Sequence, residues 1–424
     1  MKIVVIGGGA AGMMFSTQYK RRNPEDEVVV YEKTEYVSWA GCPTPYYIAD
    51  ELDFSHVVLG SVESFVKRGI DVKINKEVSS VNTKEKYIIV DNEKVYYDKL
   101  VIAVGAKSKG NNGFTLSHAV DAVKIKKYIK EHNPKKAVII GSGFIGLEMA
   151  ESFISQNIQV DMVEMQDKIL ANISENLKEE LYKKIEQTGL KLHLGTKVEK
   201  YLDNKVVLSN DETLDYDILL TSIGITPNID FLNNELETLD KKILVDEKFR
   251  TSVEDVYAIG DCVYNKYKGE NMYIYSPFGD VANKHGIILA RNLSKLETSW
   301  NGTMGSYASS YFDVKFAGTG LSLEKAIELG YDAKAIEMVA QTKNSGFKDF
   351  KPIKIQVVYD KTKKIVLGGV GVGFDSVAQF IDQISIVAYN KMPIEEFINI
   401  DFCYSPTNSS VWNPLLVIYR KVIK

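Results

Sequence analysis

The 424-residue chain has only three cysteines, Cys42, Cys262 and Cys403. They are too few and too far apart for a disulfide framework or a zinc cluster, and no metal site is expected. Such sparing use of cysteine suits a reducing compartment, so a cytoplasmic location is the expectation. An excess of one charge is missing too: 52 Lys and Arg against 56 Asp and Glu leave a net charge of −4. That removes the electrostatic footprint of a nucleic-acid binder, and Lys20-Arg21-Arg22 is the most basic short run. No apolar run approaches the ~18 residues that a membrane helix needs, so no membrane partner is expected. The first strand pattern begins at Lys2, and no signal peptide is expected ahead of it. What remains is an ordinary globular composition, 45% apolar and 25% charged. The chain is long enough for two or three domains.

Apolar strands alternate with amphipathic helices over the first two thirds of the chain, an α/β pattern. Strands are expected at Lys2–Ile6, Glu27–Glu32, Tyr87–Val90 and Lys99–Val104, then at Ala137–Ile140, Gln159–Glu164, Lys191–Leu194, Lys205–Leu208 and Ile218–Ser222. The Gly/Asn/Lys-rich stretch Lys107–Asn112 reads as a connection between two similar units. Beyond Trp300 the texture changes. Tyr311–Val314, Lys334–Val339, Ile353–Tyr359 and Ile365–Val372 read as antiparallel strands, with helices at Leu323–Leu329 and Ser376–Asn390. The expected fold is therefore α/β: two Rossmann-like three-layer nucleotide-binding domains followed by a C-terminal α+β domain, for which dimerisation is the expected role.

Each α/β unit opens on a strand, a glycine fingerprint and a helix. The first fingerprint is Gly7-Gly8-Gly9-Ala10-Ala11-Gly12 and the second Gly141-Ser142-Gly143-Phe144-Ile145-Gly146. In each, the first glycine allows a tight turn, the second lets backbone approach a pyrophosphate, and the third lets helix and strand pack closely. The helix N-terminus supplies free N–H groups and a favourable dipole for the anion. Glu32 and Glu164 end the second strand of each unit, where a carboxylate suits ribose hydroxyls. At Glu164 it also repels a 2′-phosphate, so NADH is expected over NADPH. Cys42 stands in Ser38-Trp39-Ala40-Gly41-Cys42-Pro43-Thr44-Pro45-Tyr46. The proline after it favours a helix start, whose dipole is expected to lower the thiol pKa and favour the reactive thiolate.

Gly7–Gly12, Glu32, Val101-Ile102-Ala103-Val104-Gly105, Gly141–Gly146, Ile223-Gly224-Ile225-Thr226-Pro227-Asn228 and Gly260-Asp261 follow in one order. In that order, and over essentially its whole length, the chain resembles the FAD-dependent pyridine nucleotide–disulfide oxidoreductases. The resemblance implies FAD on the first unit, held at Gly7, Gly9, Ala10, Ala11, Gly12, Glu32, Val81, Ala103, Val104, Gly105, Asp261 and Ala282. It implies NADH or NADPH on the second, at Gly141, Gly143, Ile145, Gly146, Glu148, Glu164 and Gly224. The implied domains are 1–110 with 229–302 for FAD, 111–228 for NAD(P)H, and 303–424 for dimerisation.

With no second cysteine near Cys42, the chain looks like the single-cysteine subgroup: coenzyme A-disulfide reductases, NADH oxidases and NADH peroxidases. The first glycine loop carries Ala10 where oxidases and peroxidases generally carry a histidine, and Cys42-x-x-Pro45-Tyr46 resembles the coenzyme A-disulfide reductases. Gln18, Arg21 and Ser38 then map onto coenzyme A contacts, with Arg21 offering a phosphate a charge-assisted bond. Tyr404, in Phe402-Cys403-Tyr404-Ser405-Pro406, resembles a tyrosine that reaches the flavin–cysteine site of the other subunit of a homodimer. A second family tyrosine and a histidine near coenzyme A are missing, so a persulfide or polysulfide suits the site as well as coenzyme A disulfide. The resemblance thus implies electrons passing from NADH through FAD to Cys42 and on to a disulfide or polysulfide. An oxidase or peroxidase, a reductase feeding a small redox protein, and a flavin-binding redox sensor are the alternatives.

Overall fold

The computed structural model describes residues 1–423. Ile3, Val4, Val5 and Val28–Val30 are buried on both faces of their strands, as a parallel sheet covered on both sides requires. The first sheet runs Val256–Ala258, Lys99–Ile102, Lys2–Ile6, Glu27–Tyr31, Asp71–Lys73, all parallel. Its outermost strand, Val256–Ala258, arrives from far along the chain. One face carries the helices Ala10–Arg22 and Gly279–Leu293. The other carries a three-stranded antiparallel sheet, Val78–Asn82, Tyr87–Val90 and Glu93–Tyr96, whose Val78, Val81, Ile88 and Val90 pack on Val4, Ile6, Leu100 and Ile102.

The second unit repeats this plan. Its parallel sheet runs Lys191–His193, Gln159–Val163, Lys136–Ile140, Ile218–Thr221. Val206, Leu208 and Leu214 of a second three-stranded sheet cover one face. The C-terminal region is a five-stranded antiparallel sheet in the order Tyr307–Tyr311, Val314–Gly320, Ile365–Gly373, Pro352–Asp360, Ala333–Gln341, backed by the helix Val377–Tyr389. Tyr311, Val314, Phe316 and Val372 of that sheet belong to the same core as Leu147, Phe153 and Ile185 of the second unit. Among the described residues no helix is long and apolar enough to cross a membrane, and no cluster of three metal-ligating side chains occurs.

Two expectations need correction. Tyr311–Val314 is not a strand. It is the hairpin turn between Tyr307–Tyr311 and Val314–Gly320, with Tyr311 paired to Val314 and Phe312 at φ 52°. Its aromatic and β-branched residues look like strand, and no Gly or Asn marks the left-handed position. Lys107–Asn112 is not wholly a loop either. Ala106–Ser108 pairs antiparallel with Ile225–Pro227, so the two chain crossings between the nucleotide units hydrogen-bond to each other.

Candidate active site

Both glycine loops show why glycine stands where it does. Gly7 has φ +103° and a Cβ there lies 2.3 Å from the Ala103 carbonyl; Gly141 has φ +101° and a Cβ lies 2.3 Å from that of Ser222. A Cβ on Gly12 lies 2.0 Å from the Gly7 carbonyl, and one on Gly146 lies 2.2 Å from that of Gly141. These four glycines answer to the chain's own backbone. The middle pair does not. A Cβ on Gly143 meets nothing within 4 Å, and one on Gly9 meets only Trp39 Nε1 at 3.8 Å. Both are helix N-caps without a side-chain cap, so N–H groups face open space at the start of helices of 13 and 12 residues. That is the shape and polarity a pyrophosphate needs.

The two carboxylates are tied in the same way. Glu32 accepts from Gly8 N at 2.9 Å, Thr34 N at 2.9 Å and Thr34 Oγ1 at 2.8 Å. Glu164 accepts from Ser142 N at 2.9 Å, Ser142 Oγ at 2.7 Å and Gln166 N at 2.9 Å. Each locks its loop and keeps lone pairs for a ribose. Gly105 and Gly224, at φ +61° and +96°, follow the strands Lys99–Ile102 and Ile218–Thr221; Gly105 accepts from Asn228 N and Gly224 from Lys109 N. Asp261 is half-buried and makes no side-chain hydrogen bond among the described residues, and desolvation of its carboxyl pushes its pKa up to about 6. A polar group so placed suits a cofactor's hydroxyls. Beside it, Gly260 packs against Ala11, with Ala282 just beyond. Ala10 and Ile145 are half-buried on the opening turns of their helices, and Val104 lies next to Gly105. Val81 is core, which leaves only its main chain for a nucleotide. The residues present fit FAD on the first unit and a pyridine nucleotide on the second.

The cysteine segment follows the strand Glu27–Tyr31 and is tied back to the first glycine loop. Ser38 N donates to Gly8 O at 2.8 Å, and Ser38 itself is left-handed at φ 53°. Thr44 N and Oγ1 close the next turn on Gly41 O. The helix that follows, Thr44–Ile48, has five residues and Pro43 as N-cap. Lys126 fixes it from the second unit: its Nζ stands 3.9 Å from the Tyr47 ring centroid, donates to Tyr47 O and pairs with Asp50 at 2.7 Å.

Cys42 is open to solvent on one side, and protein crowds the sulfur on the others. The expectation of a lowered pKa fails. Desolvation raises it, and the anionic forms of Glu148, Asp261 and Asp280 raise it further. The physical reason is that Cys42 precedes the N-cap of a one-turn helix, too short to build a useful dipole. Of these anions, Asp261 and Asp280 belong to the first unit and Glu148 to the second. Burial takes the Glu148 pKa to about 7, against a hydrogen bond from Ser309 Oγ at 2.7 Å. In the cofactor-free protein, alkylation of Cys42 by iodoacetamide is therefore expected to keep rising above pH 9, since the thiolate reacts. Glu148→Gln, which removes an anion, should move that profile to lower pH; an unchanged profile would contradict this electrostatic link.

Other expected residues are less closely grouped. Gln18 Oε1 accepts from Arg22 Nη1 at 2.9 Å. Arg21 is exposed on the same helix and has no ion pair with any described residue, whereas Lys20 is committed to Pro24 O and Asp26 O. Tyr404 and Cys403 are exposed on the C-terminal region, where Ile386, Ile398, Ile400, Val411 and Trp412 are exposed as well. Cys262 is buried, its Sγ near Ile259 O, and is inert core.

The sequence reading missed Lys126, Ser309, Ser310, Trp39 and His118. Trp39 packs on His118 with ring centroids 4.3 Å apart beside the Gly9 cradle. His118 caps the helix Ala119–His132 by accepting from Val120 N, and burial lowers its pKa to about 4. Trp39 lies within the cysteine motif and was within reach of sequence reasoning; the others meet the site only through long-range packing.

Residues 1–277 match the model of the pyridine nucleotide-disulphide oxidoreductases, and 307–415 match their dimerisation domain. The chain is 31% identical to a CoA-dependent NAD(P)H sulfur oxidoreductase of Pyrococcus abyssi, over 99% of this chain and 97% of that one. It is 30% identical to an NADH oxidase of Methanocaldococcus jannaschii, over 100% and 99%. An NAD-dependent persulfide reductase structure from A. fulgidus superposes with a TM-score of 0.94 at 28% identity, covering 100% of this chain and 83% of that chain. Paired nucleotide cradles and a C-terminal dimerisation fold thus converge: the chain belongs to the pyridine nucleotide-disulphide oxidoreductase family and works with FAD and NAD(P)H.

Proposed function

We propose that the protein uses NAD(P)H, NADH in preference, to reduce a small disulfide, persulfide or polysulfide through FAD and Cys42. The observation that supports this is a solvent-open thiol on a loop held to the first glycine cradle through the Ser38 N to Gly8 O hydrogen bond. Residues 1–110 with 229–302 would hold FAD, 111–228 the pyridine nucleotide, and 303–424 the dimer contact. When bound, FAD would supply two-electron transfer between the pyridine nucleotide and sulfur.

The chain's own part begins with Cys42. Its thiolate attacks one sulfur of the acceptor, the S–S bond breaks, and the departing sulfur takes a proton. Cys42 is then oxidised to a mixed disulfide, and the electron pair returns it to thiolate while the second thiol leaves. Tyr404 of the second subunit would donate to a departing thiolate. Ser38 positions the cysteine loop on Gly8, and Gln18 and Arg21 would contact an anionic substrate such as coenzyme A. Protonation of Glu148 removes an anion near the sulfur and so favours the thiolate.

The name of the Methanocaldococcus relative supports a second reading, NADH oxidase. Ala10, in a loop without histidine, counts against it. An anaerobic test separates the two: reduce the holoprotein with NADH, then mix with coenzyme A disulfide, polysulfide, peroxide or oxygen. Reoxidation by a disulfide or polysulfide should be fastest. Faster reoxidation by oxygen or peroxide would overturn the proposal.

A further inference from the structure

The helix behind the second glycine loop, Phe144–Ser155, lies along an edge strand of the C-terminal region. Phe144, Glu148 and Glu151 stand at i, i+4 and i+7, on one helical face. Each meets Tyr307–Tyr311 or the turn after it. Phe144 stacks on Tyr307 with centroids 5.0 Å apart. Glu148 accepts from Ser309 Oγ at 2.7 Å. Glu151 accepts from Phe312 N at 2.7 Å. Ser310, on the opposite face of the strand, has its Oγ 3.4 Å from Tyr46 Oη on the cysteine helix. One short strand therefore touches both the nucleotide helix and the cysteine helix.

We propose that Ser309 is a positioning residue for Glu148, through which the C-terminal region governs the acid–base state of the pyridine-nucleotide side of the site. The inference rests on the reading of Glu148 as part of that side. A hydroxyl that donates to a carboxyl favours its charged form. The ionisable groups facing Glu148 are Glu151 on its own helix and Cys42 and Tyr46 from the cysteine segment. Near neutral pH Cys42 and Tyr46, both shifted upward, are uncharged, so of these only Glu151 is an anion, and it favours the neutral acid. Burial does the same, which brings the midpoint to about 7. Ser309 opposes all of these. It thereby holds Glu148 divided between its two forms near neutral pH.

The test uses the FAD-loaded protein and two readouts. An infrared pH titration follows the protonated carboxyl band that is absent from Glu148→Gln. Stopped-flow gives the pH profile of flavin reduction by NADH. Ser309→Ala should raise the Glu148 midpoint by about one unit, tenfold in its ionisation constant, and should move the kinetic profile the same way. Ser309→Thr, which keeps the hydroxyl, should restore both. Ser310→Ala should leave the infrared midpoint in place. An unmoved midpoint in Ser309→Ala overturns the inference. So does an equal shift in Ser310→Ala, which would mean only that the strand has loosened. If the infrared shift appears but Glu148→Gln leaves the kinetic pH profile unchanged, the assignment of Glu148 to the nucleotide side fails, and the functional half of the inference with it.

Discussion

Cys42→Ser should still be reduced by NADH at close to the wild-type rate, yet lose disulfide turnover by on the order of 10³-fold or more. The asymmetry follows from the site. The glycine cradles and their locking carboxylates lie on other segments, so nucleotide binding does not depend on the sulfur. Turnover does, because a serine hydroxyl neither ionises near neutral pH nor forms an S–S bond. The substitution exchanges one small side chain at a solvent-open position, so its effect on stability should be slight. Stopped-flow absorbance of the bound flavin and thiol release from coenzyme A disulfide or polysulfide are the two measurements. Retained thiol release would remove Cys42 from the chemistry.

The second large effect separates glycines that look alike in sequence. Gly12→Ala forces a methyl to within 2.0 Å of the Gly7 carbonyl, and neither atom belongs to a flexible side chain. Overpacking of this kind costs ~1–3 kcal/mol and sometimes more. The protein should purify without flavin and melt several degrees lower. Gly146→Ala repeats the clash at 2.2 Å in the other unit. It should stay yellow and resist reduction by NADH. Gly143→Ala is the contrast: its methyl meets nothing within 4 Å. Its melting temperature should stay within ~1 °C of wild type, whereas NADH binding weakens by on the order of tenfold as the methyl enters the cradle. Equal melting losses for Gly143→Ala and Gly146→Ala would contradict this division between packing and ligand approach.

Most of this architecture was legible in the sequence because it is written in local signals. A strand, a glycine at each of three fixed offsets and a carboxylate at the end of the next strand constrain backbone near themselves. Most expected strands of the two units therefore differ from the observed ones by no more than two residues. What escaped depends on partners distant in the chain. The contact between Ser309 and Glu148 joins residues separated by 161 positions, and nothing periodic announces it. The pairing of Ala106–Ser108 with Ile225–Pro227 is a register, set only when both crossings lie side by side. Phe312 hides a turn because its composition speaks for a strand. The thiol was misjudged for a different reason. A proline after a cysteine does signal a helix, but whether dipole or desolvation prevails depends on helix length and on which anions approach, and neither is local.

The repeated latch between carboxylate and glycine loop also bears on attempts to redesign coenzyme preference. Trading Glu164 for a small or basic residue, to welcome a phosphorylated ribose, would break three hydrogen bonds within the protein itself, from Ser142 N, Ser142 Oγ and Gln166 N. The loop meant to greet the new guest would come unfastened by the same change. A successful exchange has to supply a fresh anchor for Ser142 along with the new charge.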